Sequence, residues 1–151
     1  MNRGDVVLVP FPFQDKPGEK VRPAVVVQSD AENRRLANTI LAMITGNLDD
    51  AGQPATVLID PQTADGTGAG LNGPSLVKCY NLATMRQRRV LHVLGHLSDA
   101  LMQEVNQALK AALDRIKEEA LERKHREGYR RKPVRPNEFN PWEGEQVWGS
   151  E

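Results

Sequence analysis

Four arginines and one threonine have the type and position to do chemistry. A guanidinium is a permanent cation whose planar fork of donors matches phosphoryl oxygens. Arg22 stands just before Pro23 and an apolar run at residues 24–27, and Thr45 closes another such run at residues 39–45. Strand ends beside loops are where small β folds present functional side chains. Arg86, Arg88 and Arg89 cluster just ahead of a further apolar run at residues 90–94. Residues 11–20 read as a long loop carrying two exposed aromatics, Phe11 and Phe13. Arginines and aromatics on one face could hold a phosphodiester and stack a base. The same arginines would serve equally well as a solubilising surface.

Other conspicuous residues have plainer explanations. His92 and His96 have the spacing of helical zinc motifs, but they lie in a strand-like segment with Gly95. There they would point the same way yet sit well apart, as structural or surface histidines. The single cysteine, Cys79, lies in an apolar strand and reads as an inert core residue. The glycine-rich stretch at residues 66–70 lacks the Lys-Ser or Lys-Thr of a phosphate loop and opens no helix, so a flexible turn is expected. Arg3-Gly4-Asp5 reads as a turn into the first strand.

These residues must be positioned by a small scaffold. The chain has 151 residues, 39% hydrophobic and 26% charged, with 20 basic and 20 acidic side chains. This suits one globular domain with a short appendage and excludes a uniformly basic nucleic-acid binder. One cysteine excludes an internal disulfide framework and a Cys-rich zinc site. No apolar run approaches the roughly 20 residues that span a bilayer, and no signal-peptide pattern opens the chain, so it reads as cytoplasmic, without a membrane partner. Short apolar runs at residues 6–9, 24–27, 39–45, 56–59, 75–80 and 90–94 are bounded by Gly, Pro, Asn or Asp, as strands are. Six such strands, apolar on both faces, predict a small closed or half-closed barrel. Ser98 reads as an N-cap, followed by an amphipathic helix on Leu101, Val105, Leu109 and Ala112, joined by Met102, Ala108 and Leu113. The pattern extends through Ile116, Ala120 and Leu121 to Gly128.

The order of these motifs resembles the MazF/PemK toxins. Residues 3–13 (RGDVVLVPFPF) and 20–27 (KVRPAVVV) look like that family's opening. Ile44-Thr45, residues 84–90 (TMRQRRV) and residues 95–99 (GHLSD) match further on, so the resemblance covers about residues 2–113 in order. It implies a mainly β fold with a C-terminal helix, an SH3-like or CcdB-like barrel, forming a homodimer. It implies an endoribonuclease, an mRNA interferase that cuts single-stranded RNA at specific sequences without metal or cofactor and so arrests growth. By position, Arg22 and Thr45 resemble the family's catalytic arginine and threonine. Phe13, Gln14, Lys20, Asn47, Arg86 and Arg89 fall on its RNA-facing segments. After Thr45 this chain has Gly46-Asn47, where many relatives carry hydroxyl or amide side chains, a departure that bears on the RNA sequence cut. The implied products are a 2′,3′-cyclic phosphate and a 5′-hydroxyl, with no histidine placed as general base.

Composition changes beyond that match. Residues 1–114 hold 11 basic and 12 acidic side chains, residues 115–135 hold 9 and 4, and residues 136–151 hold none and 4. Residues 115–151 resemble the toxin-neutralising C-terminus of a MazE-type antitoxin, in a natural or engineered fusion. Phe139, Trp142, Val147 and Trp148 are apolar points on an acidic strip, suited to anchor in a groove. The expected partners are RNA and either a MazE-type antitoxin or this tail. A solvated extension, a CcdB-like barrel that binds a protein target, and an RNA-binding barrel without cleavage are the alternatives.

Overall fold

Unbroken apolar runs, buried on both faces, draw the first two strands into a hairpin. The structure, a computed structural model, describes residues 1–127, with side chains described through residue 114. β1 (Asp5–Pro12) and β2 (Glu19–Val26) pair antiparallel from Val6↔Val25 to Pro12↔Glu19. β1 thus continues past Pro10, where the sequence suggested a stop. The Leu8 carbonyl accepts the Leu91 N–H. By the two-residue period of a strand, Pro10 and Pro12 face that same side with their missing N–H groups. β6 (His92–His96) reaches only as far as Leu8 there, so no ladder hydrogen bond is lost. The loop predicted over residues 11–20 is correspondingly short, and Phe11 is not exposed but 1% accessible in the core.

Between β2 and β3 (Asn38–Thr45) lies a helix that the sequence reading missed, α1 (Asp30–Arg35). Its signal is a Ser-x-x-Glu cap: the Ser29 Oγ accepts the Glu32 N–H at 3.3 Å. A buried amide network ties α1 to β3. Gln28 Nε2 donates to Asn33 Oδ1 at 2.8 Å, Thr39 Oγ1 donates to the same oxygen at 2.7 Å, and Asn33 Nδ2 donates to the Gln28 carbonyl at 3.0 Å.

β4 (Thr56–Ile59) and β5 (Ser75–Arg86) complete a six-stranded antiparallel sheet in the order β4-β5-β3-β2-β1-β6. β5 is twice the predicted length. Its register against β3 jumps from Ala42↔Leu82 to Met43↔Lys78, leaving Cys79, Tyr80 and Asn81 as a bulge. Such a bulge bends a strand. Beyond it only Met85 is buried, so the apolar run that marked the strand is absent there.

The segment between β4 and β5 folds into a 3-10 turn at Thr67–Ala69 that packs on β6, which brings the two ends of the strand order together. A Cβ on Gly95 would overlap the Gly68 carbonyl, and one on Gly70 (φ +76°) the Leu94 carbonyl. Gly66, whose Cβ would overlap the Asp60 carbonyl, and Gly70 therefore serve close backbone packing, not the flexible turn expected of them.

Both faces of the curled sheet are apolar. One buries Val6, Val25, Ile44, Val77 and Cys79 against Leu97, Leu101, Val105 and Ala108 of the C-terminal region. The other buries Val7, Val9, Phe11, Ala24, Leu41 and Met43. Ser98 caps α2 (Asp99–Glu127), its Oγ accepting the Leu101 N–H at 3.1 Å. Leu101 and Val105, both buried, contribute roughly 2 kcal/mol each by area. The helical stripe stays buried only to Ala108, and Leu113 is exposed. The mainly β fold with a C-terminal helix is thus the one the sequence implied. The chain divides into two units, Met1–Leu113 and Asp114–Glu151. Among the described residues no helix is long and apolar enough to cross a membrane.

Candidate active site

The sheet register sets Arg22 and Thr45 on one face. β2 and β3 pair through Val26↔Leu41, Val25↔Ala42 and Ala24↔Met43. Continued two residues, that register brings Arg22 opposite Thr45 where the two strands stop pairing. Alternation puts both on the face of Ala24, Leu41 and Met43. Both are half-buried. The two side chains thus share a face just beyond the end of the paired segment, where a guanidinium and a hydroxyl can address one bound group.

Local hydrogen bonds prepare the threonine. Thr45 Oγ1 accepts the Asn47 N–H at 3.1 Å, and Asn47 Oδ1 accepts the Asp49 N–H at 2.8 Å. The threonine oxygen is thereby fixed while its own proton stays available for donation. Arg22 has no side-chain hydrogen bond or ion pair among the described residues. The contrast is Arg3, whose Nε donates to the Val27 carbonyl at 2.8 Å and whose Nη2 donates to Asn106 at 2.7 Å.

The expected RNA-binding residues fall into groups. Lys20, Phe13 and Gln14 lie at the tip of the β1–β2 hairpin, beyond Arg22 on the same end of the sheet. Lys16 Nζ sits 4.5 Å over the Phe13 ring, and the Phe13 N–H donates to the Gly18 carbonyl at 3.0 Å, closing the tip. Asn47 is exposed in the turn after Thr45. Arg89 is already engaged: its Nη1 and Nη2 each donate to a Glu19 carboxylate oxygen at 3.0 Å. That fork holds the Glu19 carboxyl below its ordinary range and raises the Arg89 guanidinium. Arg86 pairs with Asn38, at the opposite end of β3 from Thr45. Those positions are seven residues apart along β3, roughly 23 Å on an extended strand, so the fold does not bring Arg86 to Arg22 and Thr45. Phe139, Trp142, Val147 and Trp148 lie outside the described residues.

The remaining candidates are structural. β6 carries an extra residue, Leu94, opposite the Val6/Val7 step of β1. His92 and His96 consequently pair with Leu8 and Asp5, on opposite faces, and not on one face as simple alternation suggests. His96 Nδ1 contacts Asp5 Oδ1 at 2.8 Å. Burial pushes the Cys79 thiol up to about 12, which keeps it protonated and unreactive. Arg3-Gly4-Asp5 is a turn, with the Gly4 N–H donating to the Val26 carbonyl at 2.8 Å.

A cluster that sequence reading missed lies on β5 and the loop after β3. Tyr80 Oη donates to Asp50 Oδ2 at 2.6 Å, and Lys78 Nζ lies 3.5 Å from the same oxygen. The tyrosine hydrogen bond, aided by Lys78, lowers the Asp50 carboxyl, and the carboxylate in turn raises the Tyr80 phenol. The available signal was a lone lysine inside the apolar run Ser75-Leu76-Val77-Lys78-Cys79.

Residues 2–113 match the family model of the PemK-like, MazF-like toxins of type II toxin–antitoxin systems. The chain belongs to this family. Among curated proteins, an endoribonuclease MazF of Staphylococcus saprophyticus is 32% identical over 114 residues, spanning 75% of this chain and 91% of that protein. The chain is thus a MazF-type toxin of the endoribonuclease class. Solved structures share the fold. A mycobacterial endoribonuclease in complex with its cognate antitoxin has a TM-score of 0.60 at 24% identity, over 75% of this chain and 94% of that one. A MazE–MazF structure from Deinococcus radiodurans has a TM-score of 0.57 at 22% identity, over 75% and 95%. The family match ends at residue 113, so residues 114–151 lie outside it.

Proposed function

We propose that residues 1–114 are a metal-independent endoribonuclease domain that cuts single-stranded mRNA, with Arg22 and Thr45 as its catalytic pair. The observation that carries this reading is their shared face at the open end of the β2–β3 pairing. RNA carries its own nucleophile. The ribose 2′-oxygen attacks the adjacent phosphorus and its proton leaves to solvent. The bond from phosphorus to the 5′-oxygen breaks, and that oxygen departs with a proton. The products are a 2′,3′-cyclic phosphate and a 5′-hydroxyl. Charge grows on the phosphoryl oxygens during this step, and Arg22 stabilises it through two parallel donors. A guanidinium with a pKa above about 12 is a poor proton donor at neutral pH, so its contribution is electrostatic. Thr45 donates its hydroxyl proton in a hydrogen bond to the same group. Phe13, Gln14, Lys20 and Asn47 line the path of the flanking nucleotides.

The domain works as a homodimer in the cytoplasm, where its substrate is. Residues 115–151 form an antitoxin-like segment, anchored by Phe139, Trp142, Val147 and Trp148, that restrains the enzyme in place of, or alongside, a separate MazE-type partner. The antitoxin complexes among the solved relatives support a partner of that kind. The identity with a MazF endoribonuclease weighs against a barrel that only binds a protein target.

The test compares residues 1–114 with the full chain on single-stranded RNA in EDTA, with product ends identified. Cleavage by the short form alone, leaving cyclic phosphates, supports both the enzyme and its attached restraint. Equal cleavage by both removes the inhibitory role of the tail. A folded short form that leaves varied RNAs intact overturns the ribonuclease assignment.

A further inference from the structure

Arg22 is not the only cation on its face of the sheet. Met43 pairs with Lys78 across β3 and β5, and directly paired residues share a face. Lys78 therefore lies on the face of Arg22 and Thr45, diagonal to Thr45. Across the sheet the order is guanidinium on β2, hydroxyl on β3, ammonium on β5.

Two neighbours hold that ammonium. Tyr80 Oη fixes Asp50 Oδ2 at 2.6 Å, and this oxygen lies 3.5 Å from Lys78 Nζ. The Lys78 Nζ is also 5.8 Å from the Tyr80 ring centroid. The bulge that carries Tyr80 is tied to β3 by Asn81, whose Nδ2 donates to Met43 Sδ at 3.2 Å. A half-exposed ion pair at this distance adds little to stability. What it does is immobilise a flexible four-carbon side chain at the edge of the site. An ammonium has three donors, so Lys78 can keep Asp50 and still bind an incoming oxygen.

We propose that Lys78 is a further RNA-binding residue, contacting the phosphate next to the one gripped by Arg22 and Thr45, with Asp50 and Tyr80 as its positioning residues. This rests on the ribonuclease reading above. An RNA strand crossing β2, β3 and β5 meets the scissile-phosphate pair and then a second, separate cation. The contact is to the backbone, so it adds affinity without adding sequence preference.

The test measures binding of 2′-O-methyl single-stranded RNA of mixed sequence, which cannot be cleaved, across a series of salt concentrations. It uses the full chain and the full chain carrying Trp142→Ala and Trp148→Ala. Lys78→Gln is expected to weaken binding roughly tenfold at low salt. It should also reduce the slope of log affinity against log salt by about 0.7, the value of one single-strand phosphate contact. Lys78→Arg should restore the slope, which a merely structural lysine would have no reason to do. Tyr80→Phe should keep the slope and weaken binding about threefold, because the cation stays but its holder is lost. A Lys78→Gln chain with the wild-type slope overturns the proposal while RNA binding itself stands. A parent chain that binds no RNA in either background overturns both this proposal and the ribonuclease reading.

Discussion

Two polar regions of the same sheet differ in how their donors are used. At one end, Gln28, Asn33 and Thr39 are buried, and each side chain is hydrogen-bonded within the network. Gln87 closes that end, its Nε2 donating to the Asn33 and Leu36 carbonyls at 2.9 and 3.0 Å. At the other end, Arg22 and Thr45 are half-buried and keep donors to spare. A saturated buried network can only hold the fold, because any ligand would have to displace a partner. A half-buried group with unspent donors, backed by a rigid sheet, can meet a substrate at little reorganisation cost. The difference predicts that substitutions at the two ends fail in different ways.

The largest effect is expected at Arg22. Arg22→Ala should lower RNA cleavage about a thousandfold, the range seen when one preorganised donor to developing charge is lost. Stability should stay within about 0.5 kcal/mol, because among the described residues no partner is orphaned. Cleavage rates beside urea unfolding check both halves. An Arg22→Ala protein that still cuts at the parent rate removes this residue from the mechanism.

Asn33→Ala should produce the opposite pattern. It leaves the Thr39 hydroxyl without its acceptor in a buried site and removes the donor to the Gln28 carbonyl. The expected cost is about 2–3 kcal/mol, a fall in Tm of roughly 10 °C for a domain of this size. Activity per folded molecule should be unchanged, and calorimetry with active-site titration measures the two separately. A stable but inactive Asn33→Ala would mean that the two ends are coupled.

Thr45→Val keeps the shape of the side chain and removes its hydroxyl. Cleavage should drop about thirtyfold, roughly 2 kcal/mol of transition-state stabilisation, while Thr45→Ser should retain most of it. The Asn47 N–H also loses its acceptor, so a Thr45→Val chain whose loss appears only in KM would assign the hydroxyl to loop geometry instead of charge.

The sequence carried the two ends unequally. Arg22 and Thr45 stood out as candidates because each stands where an apolar run meets a breaker, next to Pro23 and Gly46, and their proposed roles came from the resemblance. The strands were legible for the same reason, since continuous burial on both faces writes itself as unbroken aliphatic runs. The register was not legible. The pairing of Leu76 with Thr45 and of Lys78 with Met43 exists only against β3, and it decides that Lys78 shares a face with Thr45. Lys78 was hidden for that reason. His92 and His96 were misread for the same one, since the bulge at Leu94 puts them on opposite faces. Pro10 misled because its cost depends on which side of β1 is paired, a fact of topology. Arg86 and Arg89 looked alike in sequence, yet one lies at the far end of β3 and the other is held by Glu19.

That last pair sets the smallest prediction and the sharpest distinction among the arginines. Glu19 is held below its ordinary carboxyl range first by the hydrogen bond from Arg89 and then by its charge. A carboxyl depressed in the folded state stabilises above its unfolded pKa and loses that stabilisation as pH falls through the lowered folded value. The contribution of the Glu19–Arg89 pair should therefore be intact at neutral pH and fade only in acid. Because both side chains are solvent-exposed, the effect on unfolding should be barely measurable. The clearer readout is the Glu19 carboxyl resonance followed by NMR titration. Arg89→Gln should return its midpoint toward the ordinary glutamate value, and moderate salt should do so in part. If RNA draws Arg89 away from Glu19, adding a non-cleavable RNA should move the Glu19 midpoint upward in the same way. An unmoved midpoint in the bound state would show that Arg89 keeps its carboxylate partner on the protein and does not meet the substrate.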